Sequence, residues 1–281
     1  MNSLMEAEPS TDLTGFYQTA VAAVEQSVQE FSRKWSLADS IYWSPGTKRA
    51  SIGSAFVIPG ICGDGMVPIG FDKHPQAAIR AASLSELNTV PLLRRRFVDP
   101  AVKGIMNHVS MQISSLFTDA NFHKNRLINC GRGTITKDQL FRGMAAIADC
   151  FTPIDRDLVL LLPPIVYHNL ADPKTGKLPS WINCPVKLIQ TMPETGEPGS
   201  RRLTGALMHR FAIAGISRPL SPPDPPDVVS SHVQFNNFVL RAMLSNRTHP
   251  ILPSESIFSI DAGYGVGVVN SRPCQLFSIA E

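Results

Sequence analysis

The chain has 281 residues, of which 43% are hydrophobic and only 17% charged, whereas about 25% of an average globular domain is charged. This length suits one large domain or two smaller ones with a buried core, and 23 prolines and 19 glycines favour a turn-rich mixed fold over a helical bundle. No stretch approaches the roughly 20 apolar residues that cross a bilayer, and the acidic N-terminal sequence lacks the pattern of a signal peptide. The low charge indicates either a subunit buried against neighbours or a poorly soluble enzyme.

The net charge of +3 conceals two segments of opposite sign. Residues 1–40 contain six acidic and two basic residues, and residues 73–137 contain ten basic and three acidic residues. This pattern predicts a contact between the segments, within one copy or between copies; the alternative is two solvated faces. Arg94, Arg95, Arg96 and Lys103 are therefore candidates for contacts with nucleic-acid phosphates or with the acidic segment of a neighbouring copy.

The first predicted element is an N-terminal helix that begins near Asp12. Its apolar residues recur every three or four positions, which places them in one stripe along about six turns: Phe16, Ala20, Val24, Val28, Phe31 and Trp35. A helix that is apolar on one side must pack against another surface.

Residues 36–92 carry many Gly and Pro residues around the short apolar run Ile52–Ile58. This composition predicts an extended hairpin with little core of its own. A long excursion of this kind commonly packs on another molecule.

Two helices and a buried strand are predicted next. Asp99 is the expected N-cap of a helix with Pro100 at its first position, and Thr136 and Gln139 form a capping box at the start of a second helix. The apolar run 157–162 predicts a central strand buried on both faces. The remaining predictions are a helical turn at 165–170, strands at 186–192 and 210–216, a polar tip at 193–202, a helix at 231–244, and strands at 257–260, 264–269 and 275–279.

Few residues suggest chemistry. The glycines of 263–269 resemble a dinucleotide-binding fingerprint, but Val268 occupies its last glycine position, and the alternation favours a strand. The seven histidines lack metal-ligand spacing, so we expect no metal and no cofactor. The five scattered cysteines are typical of reduced thiols. Cys184 with His168 or His209 is kept as an alternative nucleophilic pair.

The order of segments, and three passages within it, carry a resemblance to a known family. Residues 140–170 combine a helix, an aliphatic strand and Pro163-Pro-Ile-Val-Tyr167; residues 210–220 read Arg-Phe-Ala-Ile-Ala-Gly-Ile-Ser-Arg-Pro-Leu; and residues 233–242 match a helix that follows this strand in the family. In these features the chain resembles the Hong Kong 97-type major capsid proteins of tailed double-stranded-DNA bacteriophages.

The resemblance implies an α+β fold of the Hong Kong 97-like type with five parts. These are an N-terminal arm (1–40), an extended loop (41–92), a peripheral domain with a spine helix (93–134), an axial domain (135–255) and closing strands that return to the peripheral domain (256–281).

The resemblance also implies a function without catalysis. The chain would assemble with itself into pentamers and hexamers of an icosahedral head in the virion, after synthesis in the host cytoplasm. A separate scaffolding protein, a portal protein and non-specifically held double-stranded DNA are the other expected partners, a decoration protein is a further one, and no membrane is expected.

Within such a shell, Phe16, Val24, Phe31 and Trp35 are expected to dock the arm onto an adjacent copy. Removal of residues 1–35 should then abolish shells and leave a soluble subunit. Two rival functions remain, an encapsulin-like nanocompartment that encloses protein cargo and a small cysteine-dependent hydrolase.

Overall fold

The computed structural model describes residues 13–35, 37–59, 65–80, 89–118, 120–122, 127–130, 134–149, 157–189, 194–195, 201–221, 228–247 and 255–279. The α-helices of these residues are α1 (Leu13–Trp35), α2 (Val90–Leu93), α3 (Asp99–Ser114), α4 (Lys137–Ala148) and α5 (Pro164–Leu170). The strands are β1 (Tyr42–Ser44), β2 (Ser54–Pro59), β3 (Met66–Phe71), β4 (Gln76–Arg80), β5 (Leu127–Asn129), β6 (Leu158–Leu162), β7 (Val186–Leu188), β8 (Glu194–Thr195), β9 (Arg201–His209), β10 (Ile213–Arg218), β11 (Val228–Phe235), β12 (Phe238–Arg247), β13 (Glu255–Asp261), β14 (Gly263–Val268) and β15 (Cys274–Ile279).

The strands form four sheets. The largest has the order β5-β15-β9-β6-β7, with β8 paired to β9. A second, antiparallel sheet has the order β11-β12-β13-β4, and a third has the order β1-β10-β14. The fourth is the isolated hairpin β2-β3. Several hydrogen-bonded strands are far apart in the sequence, such as β1 with β10 and β4 with β13.

The predicted N-terminal helix is confirmed as α1, and it belongs to the main core. Ala20, Ala23, Val24 and Val28 are buried in one cluster with residues of α3 and of the sheet β11-β12-β13-β4. The apolar stripe of α1 therefore packs against its own chain.

The predicted N-cap at Asp99 is wrong. Val98 and Asp99 both have right-handed helical backbone, and a π-helical turn, Arg94–Val98, joins α2 directly to α3. The Asp99 N–H donates to the carbonyl of Arg94, five residues back. Pro100 has no N–H to donate to an ordinary helical ladder, so a π-turn immediately before it lets the helix continue.

The capping box and the central strand are confirmed. The Thr136 side chain accepts from the Gln139 N–H, and the Gln139 side chain accepts from the Thr136 N–H. All five residues of β6 are buried. Alternate residues of β6 contribute to two cores: Leu158, Leu160 and Leu162 pack with α4 and α5, and Val159 and Leu161 join the main core.

The predicted helix at 231–244 is wrong, because β11 and β12 form an antiparallel hairpin there. Asn236 and Asn237 connect the strands with φ values of 44° and 64°, the left-handed backbone that a two-residue hairpin turn requires. The apolar residues of this segment repeat in a way that fits either period, and the turn residues decide the outcome.

The predicted polar tip at 193–202 also needs correction. Its last residues open β9, which runs to His209 and lies in the middle of the largest sheet. The strand predicted at 210–216 begins later, with β10, after a short 3-10 turn. The helical turn α5 and the closing strands β13, β14 and β15 are confirmed.

The glycine-rich segment is a strand, as predicted, and its glycines have a packing role. Gly263, Gly265 and Gly267 lie on one face of β14, against which β3 packs. A Cβ at Gly265 would collide with the carbonyl of Gly70, and one at Gly263 would collide with the Phe71 ring. The three glycines form a bed, the glycine bed, for the hairpin β2-β3.

Candidate assembly surfaces

The arm residues do not form an exposed docking surface. Val24 is fully buried within its own chain, and the ring of Phe16 packs edge-on against Phe258 at 5.8 Å. Phe31 is half-buried against the same core, and the side chain of Trp35 lies outside the described residues. The sheet β11-β12-β13-β4 of the same chain already covers Phe16 and Val24, so their docking on an adjacent copy stays a prediction that requires α1 to leave this sheet.

The acidic and basic segments meet within the chain. Arg94 Nη2 donates to Glu30 Oε2 at 2.8 Å, and Arg94 Nε donates to Asp99 Oδ1 at 3.0 Å. These two carboxylates raise the pKa of the Arg94 guanidinium, Glu30 more than Asp99. Arg94 thus joins α1 to the π-helical turn and is already neutralised.

Three of the predicted basic residues remain exposed on the helix that runs from α2 to α3. Arg95, Arg96 and Lys103 are exposed, and in the described part of the chain none of them is in an ion pair. This surface therefore carries positive charge that no carboxylate among the described residues pairs with.

The hairpin β2-β3 presents an apolar outer face. Cross-strand pairs of this face are Ala55 with Gly70, Val57 with Pro68, and Pro59 with Met66, and all six residues are exposed. Val57 is 56% exposed and Met66 66% exposed. We call this surface the hairpin face.

The inner face of the same hairpin packs on the body of the subunit. Ile58, Ile69 and Phe71 are buried in a cluster that includes Ala214 and Ile216 of β10. The available signal in the sequence was that both alternating sets of residues in this hairpin are apolar, which predicts strands with two apolar faces. The prediction of a hairpin with little core of its own located the element but not the residues that reach outward.

The root of the hairpin contains a buried guanidinium. Arg218, at the end of β10, is only 7% exposed. Its Nη1 donates to the carbonyls of Ser44 and Ser217, both at 2.8 Å, and its Nη2 donates to the carbonyl of Pro45 at 3.1 Å. The guanidinium also lies over the Phe56 ring, 5.4 Å from its centroid. Burial lowers the pKa of Arg218.

A second buried charge lies in the antiparallel sheet. Arg241 makes two hydrogen bonds to Asp261, Nε to Oδ1 at 3.0 Å and Nη2 to Oδ2 at 2.6 Å. His74 Nε2 lies 3.1 Å from Asp261 Oδ2, and His232 is directly across from Arg241 on the neighbouring strand. Both carboxylate oxygens of Asp261 therefore have partners, and Arg241 and Asp261 have the geometry of a structural ion pair.

The surroundings of Cys184, the predicted nucleophile, do not favour the thiol chemistry of a hydrolase. Burial raises the pKa of the Cys184 thiol, and it raises the pKa of Cys130 to about 11. A nucleophilic cysteine needs a lowered pKa. His209 is buried and accepts from the Phe211 N–H through Nδ1, while His168 is exposed on α5.

Two further observations concern ligands and membranes. Among the described residues, no three His, Cys, Asp or Glu side chains cluster in a way that could hold a metal ion. In the same part of the chain, no helix combines the length and the apolar character that a membrane span requires.

Comparisons with known proteins give matches at the level of structure. No protein-family model matches the chain, and no curated protein does. The capsid structure of the cyanophage P-SCSP1u matches with a TM-score of 0.51 and 10% identity, over 86% of this chain and 87% of that one.

Two other solved structures are similar at lower scores. The virus-like particle of Pyrococcus furiosus has a TM-score of 0.49 and 11% identity, over 93% of this chain and 99% of that one. The SrpI encapsulin of Synechococcus elongatus PCC 7942 has a TM-score of 0.47 and 13% identity, over 87% of each chain. With its helix α2–α3, its hairpin β2-β3 and its large mixed sheet, the chain has the Hong Kong 97-like capsid fold.

Proposed function

We propose that the chain is a major capsid protein, a shell subunit that assembles with copies of itself into pentamers and hexamers of an icosahedral phage head. The fold supports a shell subunit. The observation that carries the proposal is the hairpin face, an exposed surface of six residues without a charged or hydrogen-bonding side chain.

The hairpin face has no function in a solitary subunit. Soluble monomers scatter their exposed apolar residues singly, whereas contiguous apolar patches mark interaction sites. A two-stranded ribbon is also marginal by itself, and here only one of its faces packs on the body of the subunit. A second copy that covers the outer face would complete the burial of Val57 and Met66.

Burial of this kind can sustain a shell. Each Å² of apolar surface removed from water contributes about 25 cal/mol, and specific interfaces bury roughly 1,200–2,000 Å² in total. Each subunit of a closed shell makes several such contacts, so modest pairwise affinities add up to a stable particle.

The exposed basic residues suit the inside of a DNA-filled head. Arg95, Arg96 and Lys103 would contact phosphates without reading sequence, and such contacts weaken as the salt concentration rises. A separate scaffolding protein, a portal protein and a decoration protein complete the proposal, and these partners rest on the resemblance of the fold alone.

The test of this function is the state of the purified protein. We expect the wild-type chain, expressed with its scaffolding partner where one is encoded nearby, to form closed particles visible by negative-stain microscopy. Nuclease-protected double-stranded DNA in particles from infected cells supports a phage head, whereas particles that contain only protein cargo support a nanocompartment. A chain that stays monomeric both when it is expressed with its scaffolding partner and in infected cells contradicts the proposed function.

The role of the hairpin face is tested by the pair Val57→Asp and Met66→Asp. Each change places a carboxylate in a surface that must lose water on assembly, so we expect particle yield to fall at least about tenfold. Both sites are exposed in the subunit, and its melting temperature should change little. The measurement is the particle fraction in a sucrose gradient beside thermal unfolding of the unassembled subunit.

Val229→Asp is the matched control, because Val229 is 55% exposed and also lies in a strand, β11, on a different sheet. We expect this variant to assemble. Normal particles from both hairpin variants would contradict the role of the hairpin face.

A further inference from the structure

Arg218 is a buried cation without a buried anion. In the described part of the chain it makes no ion pair with a carboxylate, and its donors are used on the carbonyls of Ser44, Pro45 and Ser217. Removing a guanidinium from water costs free energy, and hydrogen bonds to neutral carbonyls offset this cost less than an ion pair with a carboxylate does.

The contacts of Arg218 join three separate segments. The residue itself ends β10, its hydrogen bonds hold the segment that leaves β1 at Ser44 and Pro45, and its Cζ lies over Phe56 of β2, 5.4 Å from the ring centroid. The rigid, planar fork of arginine suits this task, because it donates to two backbone segments while its charge lies over an aromatic ring.

Gly46 shows how closely the guanidinium is enclosed. A Cβ at Gly46 would lie 2.6 Å from Cζ of Arg218. The guanidinium thus lies close to the backbone at Gly46 as well as to the Phe56 ring.

The other strand of the hairpin has its own fixed support. Ile69, Gly70 and Phe71 of β3 lie against the glycine bed of β14, and the Phe71 ring contacts the Phe56 ring at 5.9 Å. The glycine bed therefore supports the hairpin along β3, and Arg218 holds β2. Two supports on two strands define the angle at which the hairpin leaves the subunit.

We propose that Arg218 is a positioning residue for assembly: by clasping the Ser44–Gly46 segment to Phe56, it sets the angle of the hairpin β2-β3 and so the direction in which the hairpin face meets the next copy. This inference rests on the proposed function. A hairpin at the wrong angle still offers the same apolar surface, but it presents that surface in a geometry that does not close a shell of one size.

The experiment uses two variants that disturb the clasp from opposite sides. Arg218→Met removes the fork and keeps the volume, and Gly46→Ala pushes the guanidinium away by a surface change. Gly104→Ala is the control, because a Cβ at this helical glycine would meet nothing within 4 Å. Arg218→Lys tests whether charge suffices, and we expect it to behave like Arg218→Met, since an ammonium cannot form the fork of hydrogen bonds.

Two readouts separate positioning from general stability. Amide hydrogen exchange of the unassembled subunit should accelerate about tenfold or more in residues 54–59 and 66–71, with β6 and β12 unchanged. Electron microscopy of assembled particles should show a broad distribution of diameters and open sheets, where the wild type and Gly104→Ala give one size.

Each outcome bears on the proposal. The proposal is wrong if both clasp variants form particles of wild-type diameter and their hairpins show unchanged hydrogen exchange. It is also wrong if hydrogen exchange becomes faster evenly over the chain, because that result indicates a purely structural arginine. If Arg218→Met does not fold, Gly46→Ala alone decides in the same way. If the wild type forms no shell, the proposed function fails, while hairpin exchange still decides whether the clasp exists.

Discussion

The buried ionisable residues differ in whether a partner compensates their charge. Arg241 and Asp261 are buried but paired through two hydrogen bonds, and such a pair is costly to break because the remaining partner would be left uncompensated. His232, next to Arg241 in the sheet, is half-buried, and its Nε2 has no hydrogen-bond partner in the described part of the chain. Burial of this nitrogen without a partner favours the neutral form of the imidazole.

His232 should make the subunit sensitive to acid. Burial lowers its pKa most, Arg241 and Arg49 lower it further, and Asp261 and a backbone hydrogen bond at Leu220 oppose them. With a pKa lower in the folded than in the unfolded state, the unfolded state binds more protons, and stability is complete above about pH 6.5 and falls as the pH drops below it.

We expect His232→Gln to reduce this loss, because glutamine does not titrate. The measurement is the urea midpoint of the unassembled subunit at pH 7.5 and pH 5.5, for wild type and variant. An equal drop in both proteins would show that other groups control the acid response.

At the scale of elements, the turn at Asn236 and Asn237 distinguishes the observed hairpin from the helix that the sequence suggested. Left-handed backbone costs about 1–2 kcal/mol for a residue with a Cβ, and asparagine tolerates it better than most. Asn236→Ala should therefore destabilise the subunit by about 1 kcal/mol, and Asn236→Gly should leave it unchanged or stabilise it. In a helix alanine would instead be the better residue. Urea unfolding of both variants measures the difference, and a stabilising alanine would contradict the hairpin.

The elements that were predicted well from the sequence have clear local start and stop signals. The capping box at Thr136 and Gln139 fixes the start of α4, and prolines on both sides of the run at 158–162 isolate β6. The segment 231–244 failed because its apolar spacing fits two periods, and an Asn-Asn turn is a weaker signal than Asn-Gly. The start of the helix at Asp99 failed because local rules describe ordinary helices and do not foresee a π-turn before Pro100.

The candidate surfaces were predicted only in part. The sequence located the hairpin and the exposed bases Arg95, Arg96 and Lys103, but it assigned the stripe of α1 to a neighbouring copy. A periodic pattern shows that a helix face must be covered and contains no information about which surface covers it. That information is tertiary: the contact of Phe16 with Phe258 joins residues more than two hundred positions apart.

At the scale of the whole molecule, the structure divides the apolar surface between two uses. The stripe of α1 completes the main core, and the hairpin face stays exposed, which leaves it for the contacts proposed with other copies. On the proposed function, we expect such a subunit to fold before it assembles and its assembly to depend on the hairpin β2-β3. The low charged fraction of the chain is consistent with both uses, which is why composition could not separate them.

This division changes the expected result of removing residues 1–35. Without α1, the apolar groups that it covers on α3 and the sheet β11-β12-β13-β4 would face water. Side chains such as Tyr17, Val24 and Val28 each contribute about 1.5–3 kcal/mol when buried, and the net stability of a domain is only about 5–15 kcal/mol. We therefore expect the truncated chain to be unfolded or aggregated, with no cooperative thermal transition, rather than to be a soluble subunit that cannot assemble.

A milder change at the same surface keeps this expectation testable. Val24→Ala removes two buried methyl groups and should cost about 2 kcal/mol, which lowers the melting temperature of the unassembled subunit but still permits particles at low temperature. An arm that docks on neighbours would behave in the opposite way, because Val24→Ala would leave the subunit's melting temperature unchanged and weaken the particle instead. Thermal unfolding of subunit and particle, measured side by side, therefore decides whether α1 belongs to the core of its own chain.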